Sequence, residues 1–177
     1  MPHFGNSPPP EPDAHPRGAF LGLRAKAGRG VLYRAILEGL ALQARQMLDG
    51  MAGLNEVTPP DDIRVIGGGS RNELFLRIKA DVFGRSITVI DEAEASALGA
   101  ALLGGIAAGV WPDLPAAYQA LERREHVVEP GEDAARYDEL RSIFRDAPAA
   151  IRPINARLDE FEAATGVQFG TTPRLTS

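Results

Sequence analysis

A run of three glycines that directly follows a short β-branched segment is the feature that most limits how this chain can fold. Ile63 to Ile66 (IRVI) predicts a buried strand, Gly67 to Gly69 follow at once, and a helical pattern then continues to Gly84. Glycine has no Cβ, so such a turn can adopt positive φ and let a ligand approach the backbone closely. A strand, a glycine turn and a helix in this order predict an open α/β sheet, whose ligands bind at the carboxyl ends of its strands.

The segments on either side extend this α/β pattern. Apolar residues recur at helical spacing from Val31 to Leu48, which predicts a largely buried helix that ends near Gly50. Ser86 to Ile90 (SITVI) predicts a second strand, and Glu94 to Gly109 a helix with small side chains. The order helix, strand, helix, strand, helix favours parallel strands joined by right-handed crossovers.

The two ends of the chain differ from this centre. Residues 1–28 are rich in proline, which predicts an extended loop, with a possible short strand at Arg17 to Leu23. The last stretch, residues 165–177, shows no sustained period and is expected to be a loose tail. We therefore expect one domain over residues 1–164. Its last part is predicted to be helical, at Leu114 to Arg124, Glu132 to Phe144 and Ala149 to Ala164.

Composition excludes several classes of function. The net charge of −5 and the absence of a basic stripe argue against a nucleic-acid partner. The chain has no cysteine, which excludes disulfides, thiolate catalysis and zinc sites built on sulfur. The opening residues do not resemble a secretory signal. Ala95 to Trp111 is apolar but short and dominated by alanine and glycine, which favours a packed helix over a membrane span. We expect a cytoplasmic protein with no membrane partner.

Several polar residues have structural explanations that we prefer to catalytic ones. Ser70 and Glu73 match the Ser-x-x-Glu capping box, so we expect Ser70 to cap the following helix rather than act as a nucleophile. Arg34 and Glu38 lie four apart on one helix, a spacing that allows an ion pair. The histidines are isolated from one another and predict no metal site; they are His3, His15 and His126.

An acidic cluster follows the second predicted strand. It consists of Asp91, Glu92 and Glu94, at the start of the helix that runs to Gly109. Carboxylates in the first turn of a helix interact favourably with its dipole, so we interpret them as helix-terminal residues rather than as ligands of magnesium. The sequence therefore predicts no metal-binding residue.

Residue patterns alone leave the ligand of the glycine turn open. A dinucleotide-binding fingerprint would use Gly67, Gly69 and Asp91, but Asn72 occupies its third glycine position. No Gly-Lys-Ser or Gly-Lys-Thr follows the glycines, so this is not a Walker loop. A dinucleotide-binding domain and a non-catalytic helical interaction module both remain open at this stage.

Four segments, taken in order, resemble the C-terminal domain of FGGY-family carbohydrate kinases of the xylulokinase or fuculokinase type. The resemblance extends over roughly residues 2–160 and implies an α/β fold, the C-terminal domain of an actin-like (ribonuclease H-like) ATPase. It implies that this domain is incomplete at its N-terminal strands and has extra C-terminal helices. The segments are RAILEG at Arg34 to Gly39, IGGGSRN at Ile66 to Asn72, ADVFG at Ala80 to Gly84 and EASALGAA at Glu94 to Ala101.

The resemblance also implies a function. The complete enzyme would transfer the γ-phosphate of ATP, with Mg²⁺, to a hydroxyl of a sugar or polyol. Gly67, Gly68, Gly69 and Asn72 are the positions expected to bind the adenosine of ATP or ADP. No catalytic residue is expected in this chain, since the family's catalytic Asp belongs to the N-terminal domain. The chain alone is expected to be inactive and to have a separate N-terminal kinase half or a second copy of itself as partner.

Overall fold

The computed structural model describes residues 16–52, 62–92, 94–121 and 124–167. The predictions made for residues 1–15, including His3 and His15, and for residues 168–177 of the tail lie outside this part. The chain divides into two compact units, which are described separately. One holds the residues up to Gly50 together with those from Leu140 onward, and the other runs from Met51 to Glu139.

Five α-helices and three strands occur within the described residues. The helices are α1 (Arg29–Ala52), α2 (Glu73–Phe83), α3 (Ala95–Ala107), α4 (Leu114–Gln119) and α5 (Ala134–Thr165), and the strands are β1 (Arg64–Val65), β2 (Ile87–Ile90) and β3 (Glu125–Val128). A short 3₁₀ helix, Gly68–Arg71, precedes α2. None of the described helices combines the length and the apolar character needed to cross a bilayer.

The unit from Met51 to Glu139 is built on a three-stranded sheet with the order β1-β2-β3. β1 and β2 are parallel, with Val65 opposite Val89, which confirms the predicted crossover connection. β3 is antiparallel to β2, with Val127 opposite Thr88. This third strand was not predicted, and the helix predicted for Leu114 to Arg124 is wrong in its second half, because α4 ends at Gln119.

The core of this unit forms where α2 meets the sheet. Ile78 on α2 is 1% exposed, and Ile87 and Val89 on β2 are 0% and 1% exposed, so these side chains have left water almost completely. Burial at this level stabilises the fold by roughly 1.5 to 3 kcal/mol for each large aliphatic side chain. The glycine turn joins β1 to α2, so it is held at one end by the sheet and at the other by α2.

The other unit differs from the prediction in three places. α1 buries only Leu37, Gly39, Ala41 and Leu42, so the prediction of a largely buried helix is wrong. Residues 17–23 form no strand. The two helices predicted for Glu132 to Phe144 and Ala149 to Ala164 are one continuous helix, α5, which contains two prolines.

Ion pairs tie the segments of this unit together. The Arg17 guanidinium binds the carboxylates of Asp159 and Glu162 on α5, and these hydrogen bonds raise the pKa of Arg17. The predicted pair on α1 is confirmed, with Arg34 Nε 2.7 Å from Glu38 Oε1. That second pair is partly exposed, and exposed pairs of this kind contribute only a few tenths of a kcal/mol, on the order of 0.5.

Candidate functional site

The backbone at Gly67 turns the chain from the sheet into α2. Gly67 has φ 88° and ψ −170°, a combination that residues with a Cβ do not adopt without strain. Its N–H donates to the carbonyl of Glu92 at 2.8 Å, just beyond the end of β2. The turn is thus fixed to the neighbouring strand at the carboxyl edge of the parallel pair, where the sequence predicted a ligand site.

Ser70 stabilises the turn from the inside. Its hydroxyl donates to the carbonyl of Gly67 at 2.8 Å, and its own N–H donates to the same oxygen at 2.9 Å. Ser70 is only 8% exposed, so the hydroxyl is directed into the turn and away from solvent. The predicted capping box with Glu73 is wrong, since Ser70 closes the glycine turn and does not cap α2.

Asn72 is the residue that caps α2. Its Oδ1 accepts a hydrogen bond from the Phe75 N–H at 3.0 Å, which satisfies one of the amides that lack a partner within the helix. The sequence analysis assigned Asn72 to ligand contact and missed this cap. Asn72 therefore has a structural role whether or not it also contacts a ligand.

The four residues predicted to bind adenosine come together in one short turn. Gly68 and Gly69 are exposed, while Gly67 and Asn72 are half-buried. A Cβ built at Gly68 would have no atom within 4 Å, so the space beside this residue is open. The turn thus presents bare backbone to solvent at a sheet edge where α/β proteins bind their ligands.

Lys79 is a neighbour of this turn that sequence reasoning missed. Its ammonium lies 4.2 Å from the centre of the Phe75 ring. It also lies 3.9 Å from the position that a Cβ on Gly69 would occupy. Burial lowers the pKa of Lys79. The spacing of four between Phe75 and Lys79 on an amphipathic helix was a signal that could have identified the pair.

A cavity of about 470 Å³ lies at the same edge of the sheet. Apolar side chains from the strand ends and from α3 form most of its wall, and its polar lining residues are Asp91, Glu92, Tyr118 and Arg124. Ile66, directly before the glycine turn, also lines it, but none of the four predicted adenosine-binding residues does. The cavity and the turn are therefore neighbouring features of one edge.

The acidic cluster contributes a local helix contact. Glu92 Oε1 accepts the N–H of Glu94 at 2.8 Å, directly before α3. Glu94, at the N-cap of α3, makes no capping hydrogen bond with its own side chain. Within the described residues, no three histidine, aspartate or glutamate side chains come close enough together to hold a metal ion. The third histidine, His126, is exposed on β3.

Comparison with known proteins places this fold in a family. Residues 1–108 match the model of the C-terminal domain of the FGGY family of carbohydrate kinases. The glycerol kinase of Shewanella frigidimarina is 40% identical over 111 residues, which are 63% of this chain and 22% of that protein.

Solved structures agree with this match. The xylulose kinase of Rhodospirillum rubrum has a TM-score of 0.65 and 28% identity, with 79% of this chain and 28% of that chain covered. The glycerol kinase of Plasmodium falciparum, solved with ADP, has a TM-score of 0.60 and 25% identity, with 76% of this chain and 26% of that chain covered.

The chain corresponds to only part of each relative named here. The chain spans less than a third of the length of the curated relatives, for example 22% of the Shewanella glycerol kinase and 29% of that of Halorhodospira halophila. The match covers more than half of this chain and includes the glycine turn, α2, β2 and α3. The chain therefore belongs to the FGGY family of carbohydrate kinases and has the fold of its C-terminal domain, an α/β fold of the actin-like ATPase type.

Proposed function

We propose that this chain forms the adenosine-binding wall of a cytoplasmic, ATP-dependent kinase that phosphorylates a hydroxyl of a sugar or polyol. The observation that supports this most is the exposed glycine turn at the carboxyl edge of the parallel strands. Gly67 adopts a conformation that only glycine takes readily, and the space beside Gly68 is open. A planar base or a ribose can therefore approach the backbone without meeting a side chain.

In this proposal each of the four residues has a distinct part. Gly67 sets the direction of the turn, and Gly68 and Gly69 form the bare surface on which the nucleoside lies. Asn72 contacts the base or ribose in addition to capping α2. Such contacts fix the position of the nucleotide, and positioning is a large part of how kinases accelerate phosphoryl transfer.

The described residues do not fit a magnesium site of their own. No cluster of three possible ligands is present among them, and Glu92 Oε1 is engaged with the Glu94 amide. Magnesium prefers oxygen ligands in octahedral geometry and usually needs at least one available carboxylate. The share of the reaction that we assign to this chain is to bind and orient the nucleotide.

The remaining part of the kinase is the partner that this proposal requires. α3 is strongly apolar, yet Leu102 is its only buried residue, and Leu103 is 61% exposed. Ala97, Ala100 and Ala101 are also exposed. Apolar faces of this kind are usually covered by other protein. We propose that the other segments of an FGGY kinase, in the same polypeptide or as a separate N-terminal half, cover this face; a second copy of the chain is the alternative.

Nucleotide binding tests the adenosine site. We expect the purified chain to bind ADP in isothermal titration calorimetry, and the Asn72→Ser variant to bind it about tenfold more weakly, as expected for one lost hydrogen bond in a ligand site. Serine caps helices about as well as asparagine, so the melting temperature should stay nearly unchanged. Asn72→Ala, which removes the cap as well, should lose about 1 kcal/mol of stability in addition.

Two results would contradict the adenosine assignment, the first for Asn72 alone and the second for the whole turn. One is equal ADP affinity in wild type and Asn72→Ser, which would limit Asn72 to its capping role. The other is measurable binding of NAD without measurable binding of ADP, since such binding would require the nicotinamide part of a dinucleotide. That second result would favour a dinucleotide-binding domain.

A separate assay addresses catalysis. We expect the purified chain to show no sugar-dependent release of ADP with glycerol or xylulose, because it spans 22% to 28% of the length of relatives such as the Shewanella glycerol kinase and the Rhodospirillum xylulose kinase. A chimera in which this chain replaces the matching segment of a xylulose kinase should phosphorylate xylulose. Sugar-dependent ADP release by the pure chain would contradict this division of roles.

A further inference from the structure

The ammonium of Lys79 lies beside the turn that we assign to the nucleotide. Side chains on a helix point toward its N-terminus, and that of Lys79 extends back over the Phe75 ring, 4.2 Å from the ring centre. From there it reaches within 3.9 Å of the position of a Cβ on Gly69. Because Gly69 has no side chain, nothing of that residue stands between the ammonium and a ligand on the turn.

The charge of Lys79 is not matched by a carboxylate in the part of the chain that the structure describes. Its ammonium packs over the Phe75 ring. The nearest acidic residues along α2 have other partners, since Glu73 pairs with Arg77 at 3.8 Å and Asp81 accepts the Gly131 N–H at 2.6 Å. Burial lowers the pKa of Lys79, as expected for a cation that has lost water without gaining an anion. An anionic group on a bound ligand would supply that missing partner.

Lys79 lies seven positions after Asn72, the N-cap of α2. Seven residues are close to two full turns, so the two positions face the same way and are about 10 Å apart along the axis. The lysine side chain extends back over part of this distance, so its ammonium lies within a nucleotide's length of Asn72. A nucleoside held at Asn72 and Gly69 would therefore bring the group attached to its ribose near Lys79.

We propose that Lys79 is a specificity-determining residue, which contacts a phosphate of the bound nucleotide and makes this turn select adenosine phosphates over adenosine. The proposal rests on the adenosine site proposed above and extends it to the charged part of the ligand. A phosphate fits better than a ribose hydroxyl, because hydrogen bonds between two charged groups are about twice as strong as neutral ones. A neutral hydroxyl would leave the ammonium charge uncompensated.

The affinities of the full chain for ADP and for adenosine test this proposal. Lys79→Met keeps most of the length of the side chain and can still pack on the Phe75 ring through its thioether, but it removes the charge. We expect it to bind ADP about tenfold more weakly and adenosine as well as wild type does, as expected when one charge-assisted contact is lost. Lys79→Arg should retain most of the ADP affinity. The melting temperature of Lys79→Met should not fall, since the variant removes a partly desolvated charge.

The only other lysine provides a matched control. Lys26 lies in the unit that holds α1, and Lys26→Met changes the net charge by the same amount. It should leave ADP affinity unchanged. A loss of ADP affinity in Lys26→Met equal to that in Lys79→Met would show a long-range charge effect and overturn the proposal.

The remaining outcomes separate this proposal from the one it rests on. If wild type and Lys79→Met bind ADP equally, Lys79 has no part in recognition and the adenosine site stands. If Lys79→Met weakens ADP and adenosine to the same extent, the residue is structural and the proposal is overturned. If wild type binds neither ligand, both proposals fail together.

Discussion

Replacing Gly67 by alanine is expected to lower the free energy of unfolding by about 2 kcal/mol, the cost of placing a residue with a Cβ in a region of backbone space used almost only by glycine. Gly67 has φ 88° and ψ −170°, and its N–H donates to the carbonyl of Glu92 at 2.8 Å. A change of φ that relieved the strain would break this hydrogen bond and the two that Ser70 makes to the Gly67 carbonyl. Gly67→Ala should also lose ADP binding.

Gly68 is the matched control for this prediction. It is not among the glycines with positive φ, and a Cβ built there has no atom within 4 Å. Gly68→Ala should therefore change stability by no more than about 0.5 to 1 kcal/mol, in the stabilising direction if the turn is unchanged. If the nucleotide lies against Gly68 as proposed, the same variant should weaken ADP binding while the fold stays intact.

Urea denaturation followed by tryptophan fluorescence can measure both variants. The chain has a single tryptophan, Trp111, which lies in the same unit as the glycine turn, so its signal reports on this unit. Equal unfolding free energies for Gly67→Ala and Gly68→Ala would contradict the assignment of strain to Gly67.

The parts of the fold that were predicted from sequence are those that depend on local patterns. The β-branched run at Ile63 to Ile66 and the glycines after it indicate a strand and a turn through residue types that are adjacent in the sequence. The sequence of β3 has no comparable local pattern that predicts a strand. Its residues are exposed or half-buried, and it is held by pairing with β2, more than thirty residues earlier in the chain. Pairing between distant strands is not visible in the sequence of either one.

The capping of α2 shows the same limit at the level of one hydrogen bond. Ser70 and Asn72 are both good capping residues, and the sequence rule selected Ser70 because Glu73 lies three positions later. The structure selects Asn72, because the bond from Gly67 to Glu92 holds the turn so that the Ser70 hydroxyl meets the Gly67 carbonyl. The turn that engages Ser70 is thus held by a contact with Glu92, which lies 25 residues after Gly67 and just beyond β2.

α5 is longer than either helix that the sequence predicted for this region. Pro148 and Pro153 lie inside this helix, whereas the sequence analysis divided the region into two helices. A proline inside a helix removes one backbone hydrogen bond and costs about 3 kcal/mol. The helix continues from Ala134 to Thr165, so a local cost of this size did not decide where the helix ends.

Two adjacent glycines on α3 are expected to respond to alanine in opposite directions. A Cβ at Gly105 would lie 2.7 Å from Cε3 of the Trp111 ring, too close for an ordinary contact. Gly105→Ala must therefore displace the indole, and overpacking of this kind costs about 1 to 3 kcal/mol. A Cβ at Gly104 meets nothing within 4 Å, so Gly104→Ala should stabilise the helix by up to about 1 kcal/mol through its higher helix propensity.

The end of α3 fixes the backbone that leads to Trp111. Gly109 adopts φ 76°, its N–H donates to Ile106, and the Val110 N–H donates to the carbonyl of Gly105 at 2.8 Å. These two bonds form a Schellman motif, which fixes the chain as it leaves the helix and turns the next residue back toward it. Trp111 is that residue, so its backbone is held near α3, and the clash is relieved only when the indole rotates out of its contact with Gly105. Urea denaturation should show Gly105→Ala less stable than wild type and Gly104→Ala at least as stable, with a change in Trp111 fluorescence only in the first. A loss of stability in both variants would contradict this prediction, because it would show that the contact with Trp111 is not what makes alanine unfavourable at Gly105.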